Sequence, residues 1–183
     1  MTTNYHHILA PTPVATTILN TAPAVVTNMQ NHIRAQQDKQ NRQTNVIANM
    51  SDWRIWESTN LFDNVLLDIS NFINNKLAFK FKNKNYTKLE FVDAWTNLYS
   101  KGDYTRHHDH IPSTYSFVYC VKADDNSSPL VFSSVPEFSV NLTTDMLVVF
   151  PSHLIHYVPV LQSDDERMIL AGNLSPKKED MYD

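Results

Sequence analysis

The chain has 183 residues, of which 42% are hydrophobic and 19% charged, with a formal net charge of −4. That composition excludes a disordered chain and gives no whole-chain attraction to nucleic acid or an anionic membrane. The length suits one domain, spanning 1–183, with a full core.

Only two glycines occur, Gly102 and Gly172, so neither a G-x-G-x-x-G nor a Walker A phosphate loop can be written. Cys120 is the single cysteine. No intramolecular disulfide framework can form, and a reducing, cytoplasmic location is expected, the host cytoplasm if the protein is viral. Met1–His7 lacks the basic and apolar regions of a signal peptide, and no run approaches the roughly 20 apolar residues of a membrane helix.

Ile8-Leu9 and Thr16-Thr17-Ile18-Leu19 are predicted as short strands, with Pro11 and Pro13 confining the first to an edge. Residues 28–50 are rich in Asn and Gln. Asn31–Gln37 can open a polar surface helix, but weak periodicity favours a solvated connection across the segment. In residues 57–77 the pattern sharpens. Leu61, Phe62, Val65, Leu66, Ile69, Phe72, Ile73 and Leu77 recur at three- and four-residue steps. That spacing predicts a helix of about 18 residues with one apolar stripe, packed on a sheet, with Ser58 or Thr59 as N-cap.

Lys76, Lys80, Lys82, Lys84 and Lys88 read as a solvated face rather than a phosphate-binding one. From residue 86 the pattern is that of strands. Candidates are Phe91–Tyr99, Tyr104–His110, Thr114–Lys122, Leu130–Ser134, Asp145–Phe150, His156–Val160 and Arg167–Asn173. They are short, rich in β-branched and aromatic residues, and separated by Pro, Asn, Asp and Ser clusters, which predicts a mainly β sandwich or barrel. Tyr115, Phe117, Tyr119, Phe132 and Phe150 are read as core, and the Lys177–Asp183 tail is expected to fray.

Five of the eight histidines fall between 107 and 156, in the patterns Arg106-His107-His108-Asp109-His110 and Pro151-Ser152-His153-Leu154-Ile155-His156, and Arg167 follows. Imidazole is the commonest side-chain metal ligand at neutral pH. On a strand, residues i and i+2 share a face, so His107 pairs with Asp109 and His108 with His110. Either pair, joined by His156, makes a facial triad with open positions, the arrangement suited to O2 activation at non-haem iron. His107/Asp109/His156 supplies a carboxylate; His108/His110/His156 supplies three neutral imidazoles. Zinc is the competing metal, since three histidines and an open position also describe zinc hydrolases. Arg167 points to an anionic co-substrate beside the metal. His153 is read as packing or rim.

The order of motifs resembles the 2-oxoglutarate/Fe(II)-dependent oxygenase superfamily, in particular the oxygenases carried by tailed phages of marine bacteria. The motifs are Trp95-x-Asn97, Gly102-Asp103-Tyr104, His108-x-His110, Ser116-x-Val118-Tyr119, Leu147–Ser152, His156-x-Val158, Glu166-Arg167 and Gly172-Asn173. The resemblance covers roughly residues 86–175. It implies a double-stranded β-helix, or cupin-like jelly roll, with flanking N-terminal helices and the metal at its open end. It implies Fe(II), 2-oxoglutarate and O2 as cofactor and co-substrates, and a dioxygenase that couples oxidative decarboxylation to hydroxylation of a protein side chain, a nucleobase or a small molecule.

The phage-type register favours His108, His110 and His156 as the metal ligands. Arg167 would hold the C5 carboxylate of 2-oxoglutarate, because a planar guanidinium grips a carboxylate with two parallel bonds. Asn97 and Tyr99 are carried over as further co-substrate contacts. Two other readings stand beside this one: a three-histidine cupin dioxygenase that does not use 2-oxoglutarate, and a non-enzymatic jelly-roll virion or adaptor protein.

Overall fold

The computed structural model describes residues 12–36, 44–77, 88–134 and 136–176. Predicted features at Ile8-Leu9, at Lys80, Lys82 and Lys84, and in the Lys177–Asp183 tail lie outside the described residues.

Two antiparallel sheets face each other. The first has the order β1 (Ala15–Ile18), β9 (Met146–Pro151), β6 (Tyr115–Lys122), β11 (Arg167–Pro176), β4 (Leu89–Tyr99), β3 (Asn49–Met50). The second has the order β2 (Val46–Ile47), β5 (Tyr104–His108), β10 (His156–Val158), β7 (Leu130–Phe132), β8 (Phe138–Val140). Apart from β3–β4 and β7–β8, which pair as neighbours, consecutive strands sit in opposite sheets, the topology of a jelly roll. The fold is therefore mainly β, a double-stranded β-helix with helices on one outer face.

Side chains alternate between two apolar layers with the two-residue period of the strands. Phe117, Tyr119, Leu147, Val149, Met168 and Leu170 project to the outer side of the six-stranded sheet, where α1 (Pro23–Ala35) and α3 (Asp63–Phe72) cover them. Val118, Cys120, Val148, Phe150, Ile169 and Ala171 project between the sheets. The central strands are buried on both faces, which is why β6 and β11 read as unbroken apolar runs. Gly172 stands where β11 crowds its neighbours. A Cβ there would lie 2.4 Å from the Asp93 carbonyl oxygen and 2.8 Å from Phe117.

Three expectations need correction. The polar stretch read as a solvated connection begins inside a helix. Pro23 opens α1 in its first turn, and Val26, Met29 and Ile33 bury one face. Three apolar positions diluted by Asn, Gln and Thr give too weak a period to detect. The single helix over 57–77 is broken: α2 (Ile55–Ser58) stops at Thr59, whose backbone is extended (φ −163°, ψ 149°). Neither Ser58 nor Thr59 caps α3, which starts after Phe62 without a side-chain cap. Thr59 Oγ1 instead accepts the Leu61 N–H at 3.2 Å. α3 continues into a π-helical turn, Ile73–Leu77.

Finally, β2, β3 and β8 were not foreseen; they have two, two and three residues, too short to show a period. Among the described residues no helix is long and apolar enough to cross a membrane.

Candidate metal centre

The ligand atoms of His108, His110 and His156 lie within 4.8 Å of one another. Their rings are mutually close, with centroid separations of 4.8, 4.3 and 5.1 Å. His108 ends β5, and His156 opens β10 directly opposite it. His110 lies just past the end of β5, before the cis Ile111–Pro112 bond, and its N–H donates to the Ser152 carbonyl at 2.8 Å. The strand predicted to run to His110 therefore stops two residues earlier, and a loop rather than strand parity aims that imidazole.

A bulge also intervenes. His156 pairs with His108 and Val158 with Thr105, so two steps on β10 oppose three on β5. Thr105 and His108 both reach the cavity between the sheets, whereas the intervening His107 is exposed and stacks on Tyr157 at 4.0 Å. Asp109 is exposed, and its carboxylate accepts the Ile111 N–H. The pair His107/Asp109 thus stays outside the cluster, and His153 is exposed on the loop before His156.

The tautomers are set by the backbone. Nδ1–H of His108 donates to the Arg106 carbonyl and Nδ1–H of His156 to the Leu154 carbonyl, each at 2.8 Å. That leaves Nε2 of both rings as a lone-pair donor. Burial, reinforced by the neighbouring imidazoles, pushes His110 and His156 down to about 3, and burial also lowers His108. All three are neutral at pH 7, the state that binds metal.

The cavity behind the cluster is lined by the inward face of β4, namely Trp95, Asn97 and Tyr99, and by Arg167, Ile169 and Ala171 opposite them on β11. Arg167 is 0% exposed, and none of its three guanidinium nitrogens has a hydrogen-bond partner. Its guanidinium carbon lies 4.7 Å from the Tyr99 ring centroid. The Tyr99 hydroxyl is 2.7 Å from Thr105 Oγ1 and accepts from Asn97 Nδ2 at 3.3 Å, while Asn97 Oδ1 is unpartnered. No carboxylate is among the described residues lining this cavity.

Behind the loop that carries His110 runs a buried chain of hydrogen bonds. Ser152 Oγ lies 2.8 Å from Ser116 Oγ, which donates to Asn173 Oδ1 at 2.7 Å. Asn173 Nδ2 then donates to the Asp93 carboxylate at 2.8 Å. Sequence reading passed over Trp95, Thr105, Ser116 and Ser152 as parts of this site. A period-two count from Asn97 would have put Trp95 on the same face as Tyr99; Ser116 and Ser152 stand in motifs of the resemblance without an assigned role, and nothing local marks Thr105.

No protein-family model matches the sequence, and no curated protein matches it. Solved structures do. The chain is similar to a prolyl-4-hydroxylase of Pseudomonas putida, with 17% identity, 91% of this chain and 94% of that one covered, and a TM-score of 0.67. It is similar to an oxidoreductase of the 2OG-Fe(II) oxygenase family from Burkholderia pseudomallei, with 12% identity, coverage of 88% and 84%, and a TM-score of 0.63. The fold is that of the 2-oxoglutarate/Fe(II) oxygenases. A third such structure is HygX of Streptomyces hygroscopicus with nickel and 2-oxoglutarate bound, at 7% identity, 91% and 84% coverage, and a TM-score of 0.66.

Within that oxygenase fold, the residues present fit a divalent metal and a dianion. Three neutral imidazoles suit a first-row metal but cancel none of its charge. The buried guanidinium adds another positive charge, and none of the described residues lining the cavity is an acid that would balance it. A cavity holding a dication and a cation, but no carboxylate, is completed by an anionic ligand.

Proposed function

We propose that this chain is an Fe(II)- and 2-oxoglutarate-dependent dioxygenase built as a single domain, with His108, His110 and His156 holding the metal. In this reading Arg167 holds the distal carboxylate of 2-oxoglutarate, with Asn97 and Tyr99 alongside. When bound, the iron and co-substrate supply the oxidative decarboxylation of 2-oxoglutarate by O2, which drives hydroxylation of the substrate. The observation that carries the proposal is the Arg167 guanidinium, wholly buried and unpartnered in the cavity that the three imidazoles share.

The chain's own groups bind and orient. The Arg106 and Leu154 carbonyls hold the two imidazoles in the tautomer that offers Nε2. The Asn97–Tyr99–Thr105 hydrogen bonds stiffen the wall that faces Arg167. Val118, Leu130, Phe150, Val158 and Ile169 line the rest of the cavity with apolar surface and keep water from it.

A three-imidazole centre alone would equally suit a cupin dioxygenase without 2-oxoglutarate. Arg167, buried and unpartnered, calls for an anionic group beside the metal, and 2-oxoglutarate supplies one, which favours the first reading. Anaerobic addition of Fe(II) and then 2-oxoglutarate tests it. The expected result is a weak visible charge-transfer band that needs both additions, followed by succinate formation once O2 is admitted. No band and no succinate at saturating Fe(II) would overturn the proposal.

A further inference from the structure

The cavity holds a second unpartnered donor, at its other end. Trp95 is 4% exposed, and its indole Nε1–H has no hydrogen-bond partner. Its ring packs edge-on against Trp53 at 4.8 Å and lies 5.7 Å from the His110 ring. A buried N–H left unpaired is costly enough that native structures rarely keep one. In a cavity that takes a ligand, such a donor marks where a ligand acceptor belongs.

The register of β4 against β11 gives the spacing. Trp95 pairs with Ala171 and Tyr99 with Arg167, so Trp95 stands four residues from the Arg167 level on the same inward face. Four residues of strand are about 13 Å. Among the described residues, Trp95 and Arg167 supply the buried, unpartnered side-chain donors of this cavity. One stands at the metal end and the other at the far end. A five-carbon diacid laid along this row presents one carboxylate to each. Asn97, between them, has a free acceptor, and its amide nitrogen is already bonded to the Tyr99 hydroxyl through one of its two N–H groups, while the Nδ1–H groups of His108 and His156 are committed to backbone carbonyls. Trp95 is therefore a buried donor with no partner at all, placed for an oxygen at the metal end.

We propose that Trp95 is a co-substrate-binding residue whose indole N–H donates to the carboxylate of 2-oxoglutarate adjoining the metal. The assignment rests on the oxygenase reading above and adds to it a residue that recognises the end opposite Arg167. Ala171, the small residue paired with Trp95, leaves the indole room on the inward face.

Zn(II)-loaded protein is diamagnetic, so a nitrogen–proton correlation spectrum can resolve the indole signals of its three tryptophans. Trp95→Phe keeps an aromatic ring, removes the donor, and assigns its signal by loss. On adding 2-oxoglutarate to the wild-type protein, the Trp95 signal is expected to move downfield. In calorimetric titrations Trp95→Phe is expected to weaken 2-oxoglutarate binding about tenfold or more while zinc affinity holds. An unmoved Trp95 signal, or a Kd for 2-oxoglutarate within about twofold of wild type in a variant that still binds zinc, overturns the Trp95 assignment and leaves the oxygenase reading standing. Failure of the metal-loaded wild-type protein to bind 2-oxoglutarate overturns both.

Discussion

Replacing Arg167 by methionine should move binding and stability in opposite directions. The side chain is 0% exposed and carries a charge without a hydrogen-bonded partner. Its visible compensation is the Tyr99 ring at 4.7 Å, a contact worth about 1–2 kcal/mol. An unpaired buried charge costs more than that, and exchanging buried ionic groups for packed apolar ones is commonly neutral or stabilising by about 1–4 kcal/mol. Metal-free Arg167→Met should therefore be as stable as wild type, or more so, by urea denaturation.

Binding should behave otherwise. Two charge-assisted hydrogen bonds to a carboxylate, at about 1.5–3 kcal/mol each, correspond to a Kd weakened by roughly 10²–10⁴. Titration of 2-oxoglutarate into Mn(II)-loaded protein, calorimetrically and without turnover, reads this directly. A variant that loses several kcal/mol of metal-free stability yet binds 2-oxoglutarate within about tenfold of wild type would refute the reasoning, because Arg167 would then be a structural cation.

The two histidine registers separate cleanly. His108→Ala should abolish stoichiometric Fe(II) binding measured under anaerobic dialysis, whereas His107→Ala, which loses only the stack on Tyr157, should bind as wild type does. In the buried polar chain, Ser116 donates to Asn173, so Ser152 must donate to Ser116. Ser116→Ala strands two buried partners and should cost about 2–4 kcal/mol in urea denaturation, while Ser152→Ala strands none of the donors and should cost about 1 kcal/mol; equal costs would show that this order of donors is wrong.

Metal-free protein should lose stability as pH falls below about 6.5. Folding holds His110 and His156 down at about 3, so the unfolded chain takes up protons that the folded chain refuses. Stability present above pH 6.5 is then lost at up to about 1.4 kcal/mol per pH unit for each ring. A flat urea midpoint between pH 7 and 5 would contradict this.

The strand-rich half of the fold was legible because β4, β6, β9 and β11 are long enough to show their composition and are bounded by turn residues. The short partners β2, β3 and β8 carry no such signal; β2 and β3 exist because the longer β5 and β4 offer them a ladder, and β8 pairs with the equally short β7. α1 was missed for a related reason: Val26, Met29 and Ile33 define a face only once the six-stranded sheet is there to receive them.

By itself, the sequence determined that this chain folds mainly as β-structure and carries imidazoles in metal-ligand spacing with a lone arginine downstream. Those are local properties, set by residue type and short-range period. The tertiary structure alone decided which imidazoles share a cavity. Parity along residues 105–110 is broken by the bulge against β10 and by the end of β5 at His108, so counting by twos cannot assign faces there. It also decided that Arg167 lies in a cavity lined by no carboxylate among the described residues, and that Trp95 lines the same space. Charge isolation and an unpaired N–H are properties of what surrounds a group, and the surroundings come from strands tens of residues away.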